Sequence, residues 1–299
     1  MMGKWEISFP HLGIDLPYVP QSFSVFGFRI ALYGVIIAIG VLLGFLLADR
    51  ENARVGGPKD FWWDFSIPAI VFSLLGARTY YVIFMWDYYK EHLNEIWNIR
   101  QGGIAIYGAV IGGFFSLLVF CRIKKTSFFK MTDVGVMGLL VGQIIGRWGN
   151  FVNREVFGEY TDSLFAMRIP VEMVRGADIS ESIRMHMIEG TNYIQVHPTF
   201  LYESVLNLIL LLVIFAYRKH KNFDGEILLL YLGGYGIIRF FIEGIRTDQL
   251  YIGHTNIAVS QVLGMLLFIV AVVAEIIVLV RLKKKSGAAQ EPKDENRNV

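Results

Sequence analysis

Residues 30–48 contain no charged side chain, and this run constrains the chain more than any other feature. It is long enough to cross about 30 Å of hydrocarbon as a helix. Within lipid every backbone N–H and C=O must be satisfied internally, so such a run is read as helix. It is not alone. The chain has 299 residues, of which 54% are hydrophobic and only 18% charged. Soluble domains have about 45–50% apolar and about one quarter charged residues. The run lies inward of a polar amino-terminal stretch, has no basic cluster on its amino-terminal side and is followed by several more apolar runs, so no cleaved targeting signal is expected.

Seven spanning helices are read, at 24–48, 62–86, 103–121, 132–150, 198–217, 226–243 and 258–281. The expected fold class is all-α: a polytopic membrane protein, with residues 1–299 as a single integral membrane domain. Most connections are short. The segment 151–196 is polar, carries Pro170, and is long enough for a small extramembrane subdomain. The polar tail 286–299 is expected to be unstructured.

Charge asymmetry orients the spans. Basic clusters follow the first span (Arg50, Arg54, Lys59), the third (Arg122, Lys124, Lys125, Lys130), the fifth (Arg218, Lys219, Lys221) and the seventh (Arg281, Lys283, Lys284, Lys285). All four share one side. With that side cytoplasmic, the amino terminus and the 151–196 insertion lie outside and the carboxyl terminus inside.

Gly108 and Gly112, and the series Gly135, Gly138, Gly142 and Gly146, are spaced to let helix backbones approach closely, and helix–helix contact is their default reading. The single cysteine, Cys121, excludes an internal disulfide and any multi-cysteine metal site. It falls at the cytoplasmic end of its span, where a small apolar residue is the expected role.

Ionisable residues inside spans are costly and mark candidate sites. In the sixth span Tyr235, Arg239, Glu243 and Arg246 are spaced as one helical stripe. An Arg–Glu pair that only fixes helix contacts would account for this helix by itself. It would not account for the other helices. By the orientation above, Arg147 and Asn150 end the fourth span on the outer side. Tyr33 lies toward that side in the first span, and Gly102, Gly103 and Tyr107 in the third. His197, Tyr202 and Glu203 open the fifth. Two arginines at that depth suit an anion, and the planar guanidinium suits phosphate through forked hydrogen bonds. The anions available there are phospholipid head groups, so the residues point to a lipid-phosphate site open to the outer leaflet. That reading does not separate an enzyme from a lipid transporter.

The run GRWGNFVNREVFGE at 146–159 resembles the signature of the prolipoprotein diacylglyceryl transferases, approximately G-R-x-G-N-F-x-N-x-E-x-x-G. Gly146, Arg147, Gly149, Asn150, Phe151, Asn153, Glu155 and Gly158 match it. In the family's order come RIALYG with Tyr33, RQGGIAIYG with Tyr107, HPTFLYES with His197 and Tyr202, and the helix carrying Tyr235, Arg239 and Glu243. The resemblance runs from the first span to the sixth. One position departs: Tyr107 stands where the family often has histidine. A tyrosine, with a reference pKa of about 10, is a poor base at neutral pH but can donate a hydrogen bond to a lipid oxygen.

The resemblance implies an enzyme of a bacterial cytoplasmic membrane that starts lipoprotein maturation. It would transfer the diacylglyceryl group of phosphatidylglycerol to the lipobox cysteine of a preprolipoprotein signal peptide, release glycerol 1-phosphate and leave a thioether. Arg147, Arg239, Tyr107 and Glu243 are then the expected catalytic residues. Tyr33, Arg147, Asn150, Asn153, Glu155, Gly158, His197, Tyr202, Tyr235, Arg239 and Arg246 are the expected substrate-binding set. No metal, cofactor or nucleic-acid partner is expected. The base that takes the thiol proton stays open: Glu243 and Glu155 are candidates, each also suited to be held ionised by an arginine. His197 precedes Pro198 at a helix start, where a structural cap is the simpler role, and nothing selects His254. A flippase for anionic lipids would use the same arginines but would show inverted repeats or broken helices. A head-group phosphotransferase would show clustered aspartates for magnesium. Neither pattern is found.

Overall fold

A computed structural model of the protein describes residues 6–99, 102–187, 191–253, 255 and 257–288. His254 and most of the tail lie outside them. In chain order the α-helices among the described residues are α1 (Leu32–Arg54), α2 (Phe61–Phe84), α3 (Trp86–Tyr89), α4 (Ile106–Ile123), α5 (Phe128–Asn153), α6 (Glu181–Met185), α7 (Thr199–Tyr217), α8 (Glu226–Glu243) and α9 (Val259–Ala288). Six of them, α1, α2, α4, α5, α7 and α9, are long and apolar enough to cross a membrane. The seventh expected span, α8, has 18 residues, about 27 Å of helix, but carries Glu226, Arg239 and Glu243. The chain is a polytopic membrane protein. Helix α9 runs to Ala288, three residues into the segment expected to be unstructured; the remaining 289–299 lie outside the described residues.

Short strands accompany the helices: β1 (Ile7–Phe9), β2 (Ile14–Leu16), β3 (Ser22–Val25), β4 (Phe28–Ala31), β5 (Met167–Pro170) and β6 (Tyr193–Val196). They correct the start of the first span, which was expected at residue 24. Residues 22–31 form the β3–β4 hairpin, and its two tip residues, Phe26 (φ 49°) and Gly27 (φ 82°), are left-handed. Two successive positive φ values fit a tight hairpin turn and cannot continue a helix. The third span likewise starts at Ile106 rather than 103, because Gly102 and Gly103 have φ of 91° and 71°.

Residues 1–40 with 140–299 form one compact unit and Val41–Leu139 a second. In the second, α2 crosses α4 at glycines. A Cβ on Gly108 would lie 2.2 Å from the Gly76 carbonyl oxygen, and one on Gly112 2.2 Å from that of Phe72. Contact of this kind is what the glycine spacing predicted, and an added methyl there would cost about 1–3 kcal/mol in overpacking. Phe61, Trp62, Phe65, Leu117, Met131 and Val134 surround Cys121, which is buried as a small apolar side chain. Buried Arg78 gathers the α3–α4 connection. Its Nε donates to the Ile96 carbonyl (2.6 Å), Nη2 to that of Glu95 (2.6 Å), and Nη1 to those of Gly102 (3.2 Å) and Gly103 (2.8 Å). Backbone carbonyls thus solvate a cation that a span would otherwise expel.

In the first unit the expected 151–196 subdomain contains half of a four-stranded antiparallel sheet ordered β2-β1-β5-β6. The amino-terminal strands supply the other half. Ile7, Phe157, Met167, Ile169, Ile183, Ile194 and Val196 form its core. Alternation along β5 and β6 buries every second residue, as a sheet with one packed face requires. Helices α8 and α9 meet where a Cβ on Gly236 would lie 2.4 Å from the Gly264 carbonyl oxygen.

Candidate active site

The site is built in the first unit where α5 ends, α7 begins and α8 ends. Helix α7 opens directly after Pro198, whose fixed φ suits a helix start. One turn in stands Glu203, 1% exposed. Its Oε1 lies 2.5 Å from Nη2 of Arg147 on α5, and its Oε2 3.3 Å from Nη1 of Arg239 on α8. Arg239 also donates from Nη2 to Glu243, one turn further along α8. Glu203 thus joins two arginines that lie ninety-two residues apart in sequence (239 − 147).

Around this core the signature run turns back on itself. Arg147 reaches the Asn150 amide oxygen at 3.5 Å, and the Asn150 amide nitrogen donates to Glu155 at 3.0 Å. Glu155 sits between two residues in left-handed conformation, Arg154 (φ 56°) and Val156 (φ 59°). For a β-branched residue this is a strained backbone, costing about 1–3 kcal/mol, and such strain persists only where surroundings enforce it. The enforcement is visible. Arg154 is buried and donates from Nη2 to Glu6 (2.5 Å) and to the Val19 carbonyl (2.6 Å), while the Val156 carbonyl accepts from the Thr199 hydroxyl. Tyr33 packs on Gly149, where a Cβ would meet its ring at 2.7 Å. Tyr235 is hydrogen-bonded to Arg147 and stacks on Tyr231, ring centroids 5.6 Å apart.

The expected stripe on α8 holds for Tyr235, Arg239 and Glu243 but not for Arg246. The helix ends at Glu243, and Arg246 lies in the turn that follows, its N–H donating to the Glu243 carbonyl at 3.2 Å and its backbone bridged to Gly158. Its Nη1 still stands 3.7 Å from Glu243, and its fork grips Asp248 at 2.9 and 2.7 Å. Burial pushes the Asp248 carboxyl up, but the hydrogen bonds from Arg246 outweigh it and hold the group below the usual carboxylate range. Gly158 is where backbones cross: a Cβ there would lie 2.6 Å from the Ile245 carbonyl oxygen and 2.9 Å from Cβ of His197. His197 anchors the same crossing, its carbonyl accepting from Gly158 N–H and its N–H donating to Glu159, both at 3.0 Å. Its Nδ1 stands 3.3 Å from the Tyr202 hydroxyl, and burial pushes its imidazole below the usual histidine range against the opposing pull of Glu159. Asn153 is the last residue of α5.

Tyr107 lies in the second unit, in the first turn of α4, its ring 6.2 Å from that of Tyr80. Arg147, Asn150, Glu155 and Tyr235 are thus linked through Glu203 to Arg239, Glu243 and Arg246, with Tyr33 against the same turn. Two members were not assigned from sequence. Glu203 was noted at the outer end of its span without a role; an acidic residue one turn inside an apolar helix was the available signal. Asp248 lies in a polar connection and carried none.

A family model described as prolipoprotein diacylglyceryl transferase matches residues 20–277. The chain belongs to the prolipoprotein diacylglyceryl transferase family. Similar proteins named phosphatidylglycerol–prolipoprotein diacylglyceryl transferase include that of Limosilactobacillus reuteri (strain DSM 20016), 43% identical over 269 residues, 89% of this chain and 93% of the relative. That of Finegoldia magna is 40% identical over 256 residues, 85% and 94% of the two chains. That of Clostridioides difficile is 38% identical over 265 residues, 89% and 96% of the two chains. As a member of this family the chain is a transferase of lipoprotein maturation.

Proposed function

We propose that this enzyme transfers the diacylglyceryl group of phosphatidylglycerol to the lipobox cysteine of a preprolipoprotein signal peptide, at the outer face of a bacterial cytoplasmic membrane. The observation that carries this reading is the carboxylate of Glu203 held between Arg147 and Arg239. A carboxylate already takes one nitrogen of each guanidinium, so these donors are set to bind anionic oxygens, and phosphate oxygens can replace carboxylate oxygens on them. In the reaction the thiolate sulfur bonds to the glyceryl carbon while the carbon–oxygen bond to phosphate breaks. The electron pair leaves with glycerol 1-phosphate. The phosphate passes from a singly charged diester to a monoester approaching two charges. Arginines that gain interaction as this charge grows lower the barrier rather than merely binding lipid.

The thiol proton needs an acceptor, since free cysteine, with a pKa near 8.5, is only a few per cent thiolate at pH 7. Glu243 is the best placed carboxylate, because Arg239 holds it now and a phosphate on Arg239 would loosen that hold. The basic clusters beyond the helix ends support a cytoplasmic carboxyl terminus and an external amino terminus. Purified enzyme incubated with head-group- and acyl-labelled phosphatidylglycerol and a lipobox peptide is expected to give a thioether-linked lipopeptide and labelled glycerol phosphate. Movement of lipid between leaflets without any thioether would refute the reading in favour of a transporter.

A further inference from the structure

The β3–β4 hairpin divides its side chains by face. Its register pairs Phe23 with Ile30 and Val25 with Phe28, and these four alternate to one side. Ser22 pairs with Ala31 and Ser24 with Arg29 on the other, where Arg29 Nε donates to the Ser22 hydroxyl at 2.7 Å. All four apolar side chains are exposed, Phe28 at 74%, and the tip residue Phe26 at 98%. The pair forms its own two-stranded sheet. A lone hairpin is marginal in water, and an exposed face of this kind marks a contact surface.

Rather than water, we infer that the occupant of this face is lipid, and that the hairpin lies in the leaflet bordering the arginine site with Phe26 and Phe28 inserted. Continuity argues for this. Strand β4 ends at Ala31 and the spanning helix α1 starts at Leu32, with no residue between them, so the hairpin is fixed at interface depth. Tyr33, one residue further, packs on Gly149 of the signature run, which places the hairpin at the site's end of the helix. The polar face suits it as well: Arg29 opposite the aromatic residues can reach head-group phosphates while the phenyl rings enter the acyl boundary. This inference rests on the chain being a membrane protein with its arginine site at that end of α1, not on the transfer reaction, and adds a lipid-gripping element beside the candidate site.

The test uses the full chain in nanodiscs of phosphatidylglycerol and phosphatidylethanolamine, in a Cys121→Ala background. Phe26→Cys, Phe28→Cys and Ser24→Cys are each labelled with the environment-sensitive dye NBD. Variants with the parent's elution profile and thermal midpoint are used. Emission at positions 26 and 28 is expected to be blue-shifted and quenched by 5-doxyl lipid about three times more strongly than at position 24. Equal quenching of all three labels by aqueous iodide would overturn the inference. So would cross-linking of position 26 between two copies, or a blue shift arising only when a lipobox peptide is added. The readout needs no turnover, so its failure leaves the transfer reading standing, and failed transfer leaves this reading standing.

Discussion

Arg147 and Arg239 meet on one side chain: each lies against a different carboxylate oxygen of Glu203, at 2.5 and 3.3 Å. The shared carboxylate offsets the repulsion between two neighbouring cations and orients both guanidinium groups. It also satisfies a buried carboxylate, which would otherwise be expensive at this depth.

Replacing Glu203 by Gln removes the shared anion while keeping the shape. Transfer is expected to fall about 100-fold or more through kcat, with KM for phosphatidylglycerol not rising, because the lipid phosphate then meets less competition. The thermal midpoint should fall too, since breaking a buried ion pair costs about 3–5 kcal/mol. Steady-state kinetics with purified Glu203→Gln decide it; an unchanged kcat would reduce Glu203 to a local packing role.

Arg147→Lys and Arg239→Lys keep the charge and lose the fork. An ammonium cannot serve a carboxylate and a phosphate in one plane. Each variant is expected to insert and fold yet lose roughly 10- to 100-fold in kcat/KM, about 1.4–2.8 kcal/mol of transition-state interaction. Near-normal turnover in both would mean that point charge suffices and that phosphate is not gripped in a forked geometry.

Tyr107 is expected to position lipid through its hydroxyl rather than accept a proton. Tyr107→Phe should weaken transfer by about one hydrogen bond, roughly 0.5–1.5 kcal/mol or up to about tenfold. Tyr107→His should be tolerated. Measured over a pH series, the Phe variant should keep the parent's rise in rate as the substrate thiol ionises. A loss on the order of 100-fold or greater in Tyr107→Phe would instead make it an acid–base residue.

His197 makes part of the fold's stability depend on pH. Burial lowers its pKa in the folded protein, so the unfolded chain protonates first as pH falls. The stability of the neutral imidazole is therefore complete above the unfolded pKa of about 6.5 and is lost as pH drops through the lower folded value. Thermal midpoints taken from pH 7.5 down to pH 5 should decline in the parent below about pH 6.5, and His197→Gln should flatten that part of the curve. A His197→Gln profile parallel to the parent's would assign the decline to other groups.

Much of this protein is local in its sequence. Apolar length sets the spans, because a residue's transfer free energy to lipid depends on its own side chain, and loop charge suggests their direction. The signature run and the charged residues of α8 marked the site for the same reason: an ionisable group inside an apolar run is visible without knowing its partner. Tertiary structure decided the partners. Glu203 became the link between Arg147 and Arg239 only when α5, α7 and α8 came together. The left-handed turn around Glu155 is held by Glu6 and Val19, far away in the chain. Strand β1 pairs with β5 through Ser8 and Arg168, a separation no local pattern encodes. The first span starts eight residues later than expected, at residue 32 rather than 24, because the aromatic and aliphatic residues between Phe23 and Ile30 extend the apolar run while two positive φ values turn the segment into a hairpin. Hydrophobicity reports what must leave water; which backbone carries it there, and which charges meet, depend on contacts between segments distant in sequence.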